Sequence, residues 1–231
     1  LEEGELCVPG KYFSDFVNKI NDVEITLTTC PKGLKIEYED AVSYMQMLPP
    51  DDFPVIDSSI SENHFVMEQD AFRELIAKTT FCCAQDDSRP VLKGCLFEIG
   101  GGGVVVTSLD GYRMAVCRKP LLSLTEEKRI ICPARTLNEI AKMLSGNEGE
   151  VKLFLQRGMM LVEVNDTILT SRLYAGEFIN RDAIFPKSFN TFVKVRRKDF
   201  EESVERAAIL VRSDKNNLII LDIKDNYIGI T

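Results

Sequence analysis

Tryptophan is absent from this chain of 231 residues, and histidine occurs once, at His64. A Ser-His-Asp or Cys-His catalytic centre would have to rest on that one imidazole. The polar run around it, DSSISENH (57–64), reads as a linker, so His64 is expected in a solvated loop. No C-x-x-C pair and no other metal-ligand spacing occurs, which leaves no reason to expect a metal or cofactor. The P-loop pattern is missing as well. The glycine run Gly100–Gly103 leads into a strand-like segment and cannot place phosphate on a helix N-terminus, so it is expected as a hairpin tip. No apolar run approaches the roughly 18 residues of a membrane span. A basic, apolar leader is lacking too, so nothing suggests secretion and the sequon Asn165-Asp166-Thr167 carries no weight. Positive charge is not in excess: 28 Lys and Arg face 36 Asp and Glu, for a net charge of −8. That argues against coating nucleic acid by bulk charge, but leaves room for a basic patch on one face.

What is present is the composition of a globular chain, with 45% hydrophobic and 28% charged residues. Its length suits about two domains. The seven cysteines, several of them inside apolar runs, read as buried free thiols of a reducing compartment.

The clearest regularity is an internal repeat. CVPGKYFSDFVNKI (7–20), VMEQDAFRELIAK (66–78), ICPARTLNEIAKML (131–144) and VRRKDFEESVERAA (195–208) share one plan: a short apolar strand, a polar break and an amphipathic helix. Phe13, Phe72, Leu137 and Phe200 fall at about 60-residue intervals, longer than the roughly 20–50 residues of solenoid repeats. Thr136 with Glu139 predicts a capping box, and Asp70 and Asp199 are candidate caps for their helices. Between the helices, period-two or short apolar runs predict strands: 23–29, 33–38, 91–99, 104–108, 114–117, 151–155, 159–164 and 168–173. Each unit is therefore β-α-β-β-β. With 57–64 and PKSFNT (186–191) as connectors, the chain divides into residues 1–60, 61–187 and 188–231. The first block holds one unit, the second two, and the third the start of another, as expected of a piece of a longer protein. Taken alone, the Asp110-Gly111 turn reads as a type I′ hairpin.

Five stretches then carry a resemblance that runs over essentially the whole chain: LPPDDFPVI (48–56), QDDSRPVLKGCLFE (85–98), TSLDGYRMA (107–115), LTSRLYAGEF (169–178) and ERAAILVRSDKNN (205–217). In this order and spacing they resemble the beta subunit of bacterial DNA polymerase III, the sliding clamp. The resemblance implies an α+β DNA-clamp fold with helices lining the inside of a ring and antiparallel sheets outside. Residues 1–60 would be the second half of a first clamp domain, 61–187 a complete second domain and 188–231 the beginning of a third. It also implies a cytoplasmic, non-catalytic processivity factor. Its partners would be double-stranded DNA, the polymerase alpha subunit, clamp-loader subunits and repair proteins, with a homodimer in the full-length form and no membrane.

The same resemblance assigns sites. A peptide-docking cleft would be built from Leu92, Leu109, Gly111, Tyr112, Arg113 and Met114, together with Ile179, Ala183 and Ile184. Leu92, Met114 and Ile184 would form an apolar floor for leucine or phenylalanine anchors, with Arg113 and main-chain groups orienting the peptide. Leu109, Ile179-Asn180-Arg181 and Ala183 depart from the common family pattern and make the cleft greasier and less basic. The DNA-facing candidates are Arg73, Lys78, Gln85, Arg89, Arg135 and Lys142, each expected to touch phosphate only weakly so that sliding continues. Ile209 and Leu210 would meet Ser43 and Met45 of a second copy at a dimer interface. Two other readings stay open: a peptide-docking module that never encloses DNA, and a nucleotide-handling enzyme with a cryptic polar pocket.

Overall fold

The computed structural model describes residues 3–21, 24–53, 62–144, 149–211 and 218–231. The predicted strand start at Val23, the connector positions 57–61, the corner 54–56 and the motif positions 212–217 lie outside the described residues. The chain forms two compact units, Leu1–Phe178 and Ile179–Thr231.

The first unit opens with α1 (Gly10–Val17) and a three-stranded antiparallel sheet, β1 (Thr26–Cys30), β2 (Gly33–Tyr38) and β3 (Ala41–Met45), in that order. Leu34 and Ile36 alternate into its buried face, and Phe16 of α1 meets Tyr38 edge-on at 5.5 Å.

Next come β4 (His64–Glu68), α2 (Gln69–Ala77), β5 (Gly94–Gly100), β6 (Gly103–Leu109), β7 (Met114–Pro120), the short β8 (Ser123–Leu124), β9 (Lys128–Pro133), α3 (Ala134–Met143), β10 (Glu150–Gln156), β11 (Met159–Val164) and β12 (Thr167–Arg172). They build two antiparallel sheets. One runs β9-β5-β6-β7; the other runs β4-β10-β11-β12, with β8 on the free side of β4. The order is the same in both, and the first strands are exchanged. β4 begins the unit that continues in β5–β7 but pairs with β10, whereas β9 begins the unit that continues in β10–β12 but pairs with β5.

One core joins these pieces. Phe72, Leu75 and Ile76 of α2 and Leu137 and Ile140 of α3 follow i, i+3, i+4 spacing and are all buried. They meet the inward-facing Phe97, Val104 and Val106 of one sheet and Leu153, Met160 and Val162 of the other. The opposite face of β5 is also covered. Tyr174 pairs with Ile131, and Gly94 leaves room for the Tyr174 ring, which would lie 2.9 Å from an added Cβ.

Several local expectations change. α3 starts at Ala134, directly after the strand, so Thr136 is inside the helix and its hydroxyl hydrogen-bonds Ser171 Oγ (2.8 Å) instead of capping. Asp70 and Asp199 likewise sit in the first turns of their helices, where a negative charge meets the positive end of the dipole. His64 belongs to β4 and is half-buried, its Nδ1 2.9 Å from the Glu62 carbonyl and its ring 5.4 Å from Phe154. Residues 90–93 form a 3₁₀ turn, which delays β5 to Gly94.

The second unit holds a short helix, α4 (Arg181–Ile184), the longer α5 (Arg197–Val211) and a hairpin of β13 (Leu221–Lys224) and β14 (Tyr227–Ile230). Among the described residues no helix is long and apolar enough to cross a membrane.

The Phe72 ring is fully buried and 6.3 Å from that of Phe97. Phe72→Ala should therefore cost about 3–5 kcal/mol, read as a lower denaturant midpoint. The exposed Phe192→Ala should leave the midpoint unchanged.

Candidate peptide and nucleic-acid interfaces

The turn between β6 and β7 is organised by one carboxylate. Asp110 Oδ1 accepts from the backbone N–H groups of Tyr112 (3.0 Å) and Arg113 (3.1 Å), and Oδ2 accepts from Arg113 Nε (3.0 Å). Gly111 has φ +94°, and Tyr112 is not among the residues with positive φ. Type I′ requires both central residues at positive φ, so the turn is not the type I′ hairpin expected, and glycine supplies its one left-handed position. The guanidinium of Arg113 is fixed from its other side as well. Nη2 donates to the Phe81 carbonyl (3.0 Å), and the group lies over the Phe81 ring, 5.7 Å from its centre.

Burial pushes the Asp110 carboxyl up, but the two N–H groups and the Arg113 guanidinium outweigh it and hold it below the usual carboxylate range. Around this turn Tyr112 is wholly exposed, Met114 is half-buried and Leu109 is buried. Leu92 is buried by the 3₁₀ turn, its carbonyl accepting from Ala84 N–H (2.9 Å). Phe81, which holds Arg113 through its carbonyl and ring, is marked by no sequence motif.

Ile179, Ala183 and Ile184 belong to the second unit. Asn180 Oδ1 caps α4 by accepting from Asp182 N–H (3.0 Å), leaving Ala183 and Ile184 exposed. In the same unit Ile209 and Leu210 are largely exposed in the last turn of α5, and Leu210 lines a groove with Ala207, Ile228 and Ile230. In the first unit Ser43 and Met45 are half-buried opposite Ile36 and Leu34, and the Ser43 hydroxyl bonds Tyr38 OH at 3.0 Å.

α2 and α3 pack against each other, and Arg73, Lys78, Arg135 and Lys142 lie exposed on their surface away from the core. Half of the six cationic and polar candidates are already paired. Arg73 bonds Asp70 (2.9 Å), Lys142 bonds Glu139 (2.9 Å), and Lys78 bonds Glu74, which Lys119 also contacts. Hydrogen bonds from Lys119 and then Lys78 pull the Glu74 carboxyl down to about 2. Arg89 and Arg135 are exposed and carry no ion pair among the described residues, and Gln85 Nε2 reaches the Cys83 carbonyl at 3.4 Å. Among the described residues no group of three His, Cys, Asp or Glu side chains is placed to hold a metal ion. A concavity on the outer face of β10–β12, lined by Phe154, Arg157, Met159, Leu161 and Thr170, contains no carboxylate.

Residues 66–180 match the family profile of the DNA polymerase III beta subunit, central domain. The chain belongs to the DNA polymerase III beta subunit family. Across its full length it is 25% identical to the beta sliding clamp of Staphylococcus aureus strain Mu50, covering 61% of that protein. A putative DNA polymerase III beta subunit from Eubacterium rectale is 28% identical over 99% of the chain and 63% of its own, with a TM-score of 0.88. The sliding clamp of Pseudomonas aeruginosa, in a crystal structure bound to griselimycin, is 28% identical over 99% of the chain and 62% of its own, with a TM-score of 0.86. The fold is thus the clamp fold, mixed helix and antiparallel sheet. The chain spans about three-fifths of the length of the curated clamps it matches.

The Asp110 bonds give a pH-dependent turn. The folded-state pKa lies below the unfolded value of about 3.9, so the contribution is complete above that range and is lost as pH falls through the depressed value. The amide resonances of Tyr112 and Arg113 should shift together on acidification below the normal carboxylate range. Asp110→Asn should abolish that titration, and an unchanged titration in the variant would remove Asp110 from the turn.

Proposed function

We propose that the chain works as part of a homodimeric sliding clamp, the processivity factor of a bacterial replicative polymerase, which encircles duplex DNA without catalysis of its own. Residues 1–60, 61–187 and 188–231 then correspond to the second half of one clamp domain, a whole domain and the beginning of a third. The observation that carries this reading is the clamp-family match over residues 66–180, the stretch that contains both core helices. Their exposed surface suits the task. Charges on it are largely offset by neighbouring carboxylates, and Arg89 and Arg135 remain for phosphate. A ring that holds DNA by topology needs contacts of this weak, sequence-independent kind.

In this reading Leu92, Leu109, Gly111, Tyr112, Arg113 and Met114 of the first unit are peptide-docking residues, and so are Ile179, Ala183 and Ile184 of the second. Polymerase, clamp-loader and repair proteins dock there through a short motif with apolar anchors. The held guanidinium of Arg113 supports this, since an arginine fixed by a carboxylate, a carbonyl and a ring presents its remaining donors in one orientation. Binding of griselimycin by the Pseudomonas aeruginosa clamp is consistent with a ligand-binding surface in this family.

Three measurements on a complete subunit test the reading. Arg113→Ala, or Met114→Glu, should weaken a leucine- and phenylalanine-bearing clamp-binding peptide by about 1–3 kcal/mol in a direct titration, with the oligomer intact. Unchanged affinity would remove the cleft assignment. The wild-type subunit, once loaded, should stay on circular DNA through a salt wash and be released when the DNA is linearised. Ile209→Ala with Leu210→Ala should sediment as a monomer and fail to be retained. Wild-type retention that ignores linearisation would overturn the ring and favour the docking module.

A further inference from the structure

The cysteines of the first unit are not spread evenly through its core. Cys83 Sγ lies 3.4 Å from Cys95 Sγ, and both side chains are buried. Cys95 sits in β5. Cys83 ends the 3₁₀ turn Thr80–Cys82 that follows α2. Cys132 is opposite Cys95 across the β5–β9 ladder, but its own thiol contact is to the Pro133 carbonyl (3.9 Å). Cys82, buried one residue before Cys83, makes no hydrogen bond to another thiol among the described residues. The segment 79–84 is tied to its surroundings by Ser108 Oγ to the Thr79 carbonyl (2.6 Å), Arg113 Nη2 to the Phe81 carbonyl, Ala84 N–H to the Leu92 carbonyl, and the Thr79 and Thr80 hydroxyls to the Leu75 (2.7 Å) and Ile76 (3.1 Å) carbonyls.

We propose that Cys83 and Cys95 are a redox pair, which a hydroperoxide converts into an intramolecular disulfide that ties segment 79–84 to β5. The sulfurs need only close from 3.4 Å to about 2.05 Å. The roles of the two thiols differ. The hydrogen bond from Cys95 pulls the Cys83 thiol down, while the same bond and burial push Cys95 up. Of the two, Cys83 gives up its proton more readily, so it is assigned the attack and Cys95 the resolving role. The Cys83 sulfur takes one peroxide oxygen as the O–O bond breaks, giving a sulfenic acid, and the other oxygen leaves with a proton as water from hydrogen peroxide or as the alcohol from an organic hydroperoxide. Cys95 sulfur then attacks Cys83 sulfur, the S–O bond breaks, and the oxygen leaves as water with the Cys95 proton. Two thiols lose two electrons and two protons, and one hydroperoxide gains them. Cys83 is buried at the end of a short 3₁₀ turn, so the oxidant reaches it through a local opening of that turn, whereas Cys95 is held in the β5 ladder. Phe81 lies in the tied segment, so the oxidised form holds the Arg113 support more rigidly. The proposal is independent of the clamp reading.

The test uses the whole chain under native conditions, with hydrogen peroxide as oxidant, thiols then blocked by alkylation and the protein digested with trypsin without reduction. The expected product is a disulfide joining peptides 79–93 and 94–113, with the intact mass lower by two hydrogens. Cys82→Ser and Cys132→Ser should retain the link, and Cys83→Ser and Cys95→Ser should lose it. Amide exchange across 79–84 should slow several-fold in the oxidised wild type, a readout that needs no variant to fold. Oxygen addition without a link, a link through Cys82 or Cys132, or a link formed only in denaturant would each overturn the proposal.

Discussion

β4 and β9 each leave the unit they begin and complete the other unit's sheet, and this exchange fixes the position of everything that follows them. α2 starts at the residue after β4 and α3 at the residue after β9. Each helix is thereby tethered to one sheet by its preceding strand and to the other by the strands that come next. The only arrangement that buries both apolar stripes is one core shared by two helices and two sheets, with Phe72 against Phe97 and Leu137 and Ile140 beside them. The surface of the helices that remains is the polar one, carrying Arg73, Lys78, Arg135 and Lys142. The candidate DNA surface is thus a by-product of core packing.

The turn at Asp110 shows a different use of charge. Its carboxylate satisfies two backbone donors and a guanidinium, so the arginine is partly immobilised before any ligand arrives, and the entropy of ordering it is spent in folding. On the helices the pairs are exposed and solvated. Such pairs contribute little stability; what they do is lower the net field of the surface.

The helices were legible because i, i+3, i+4 spacing reports the buried stripe directly, and most strands because their alternation matches one covered face. The same reasoning put the start of α3 too late. Thr136 and Glu139 have the letters of a capping box, but β9 runs directly into α3, so Pro133 takes the N-cap position and offers no side-chain hydrogen bond. His64 was lost in the polar residues before it, although the apolar Phe65, Val66 and Met67 behind it are what draw it into β4. Asp110-Gly111 was recognisable as a turn, but its type depends on the backbone at Tyr112, which the letters leave open. Phe81 acts largely through its carbonyl, a group every residue owns, so no side-chain pattern could mark it. The residues of the candidate cleft came from family resemblance; their chemistry alone would have suggested an ordinary hairpin.

Exchanged first strands also decide how the middle of the chain would respond to being cut. The link between β8 and β9 is short and exposed at Thr125, Glu126 and Glu127. Severing it would leave two pieces of similar design, each lacking the strand that borders its own sheet and each carrying the strand that borders its partner's. Neither half could close its core alone, yet together they hold every pairing of the intact body. The joint between β8 and β9 is therefore a natural place for fragment complementation, in which two inert halves regain structure on mixing.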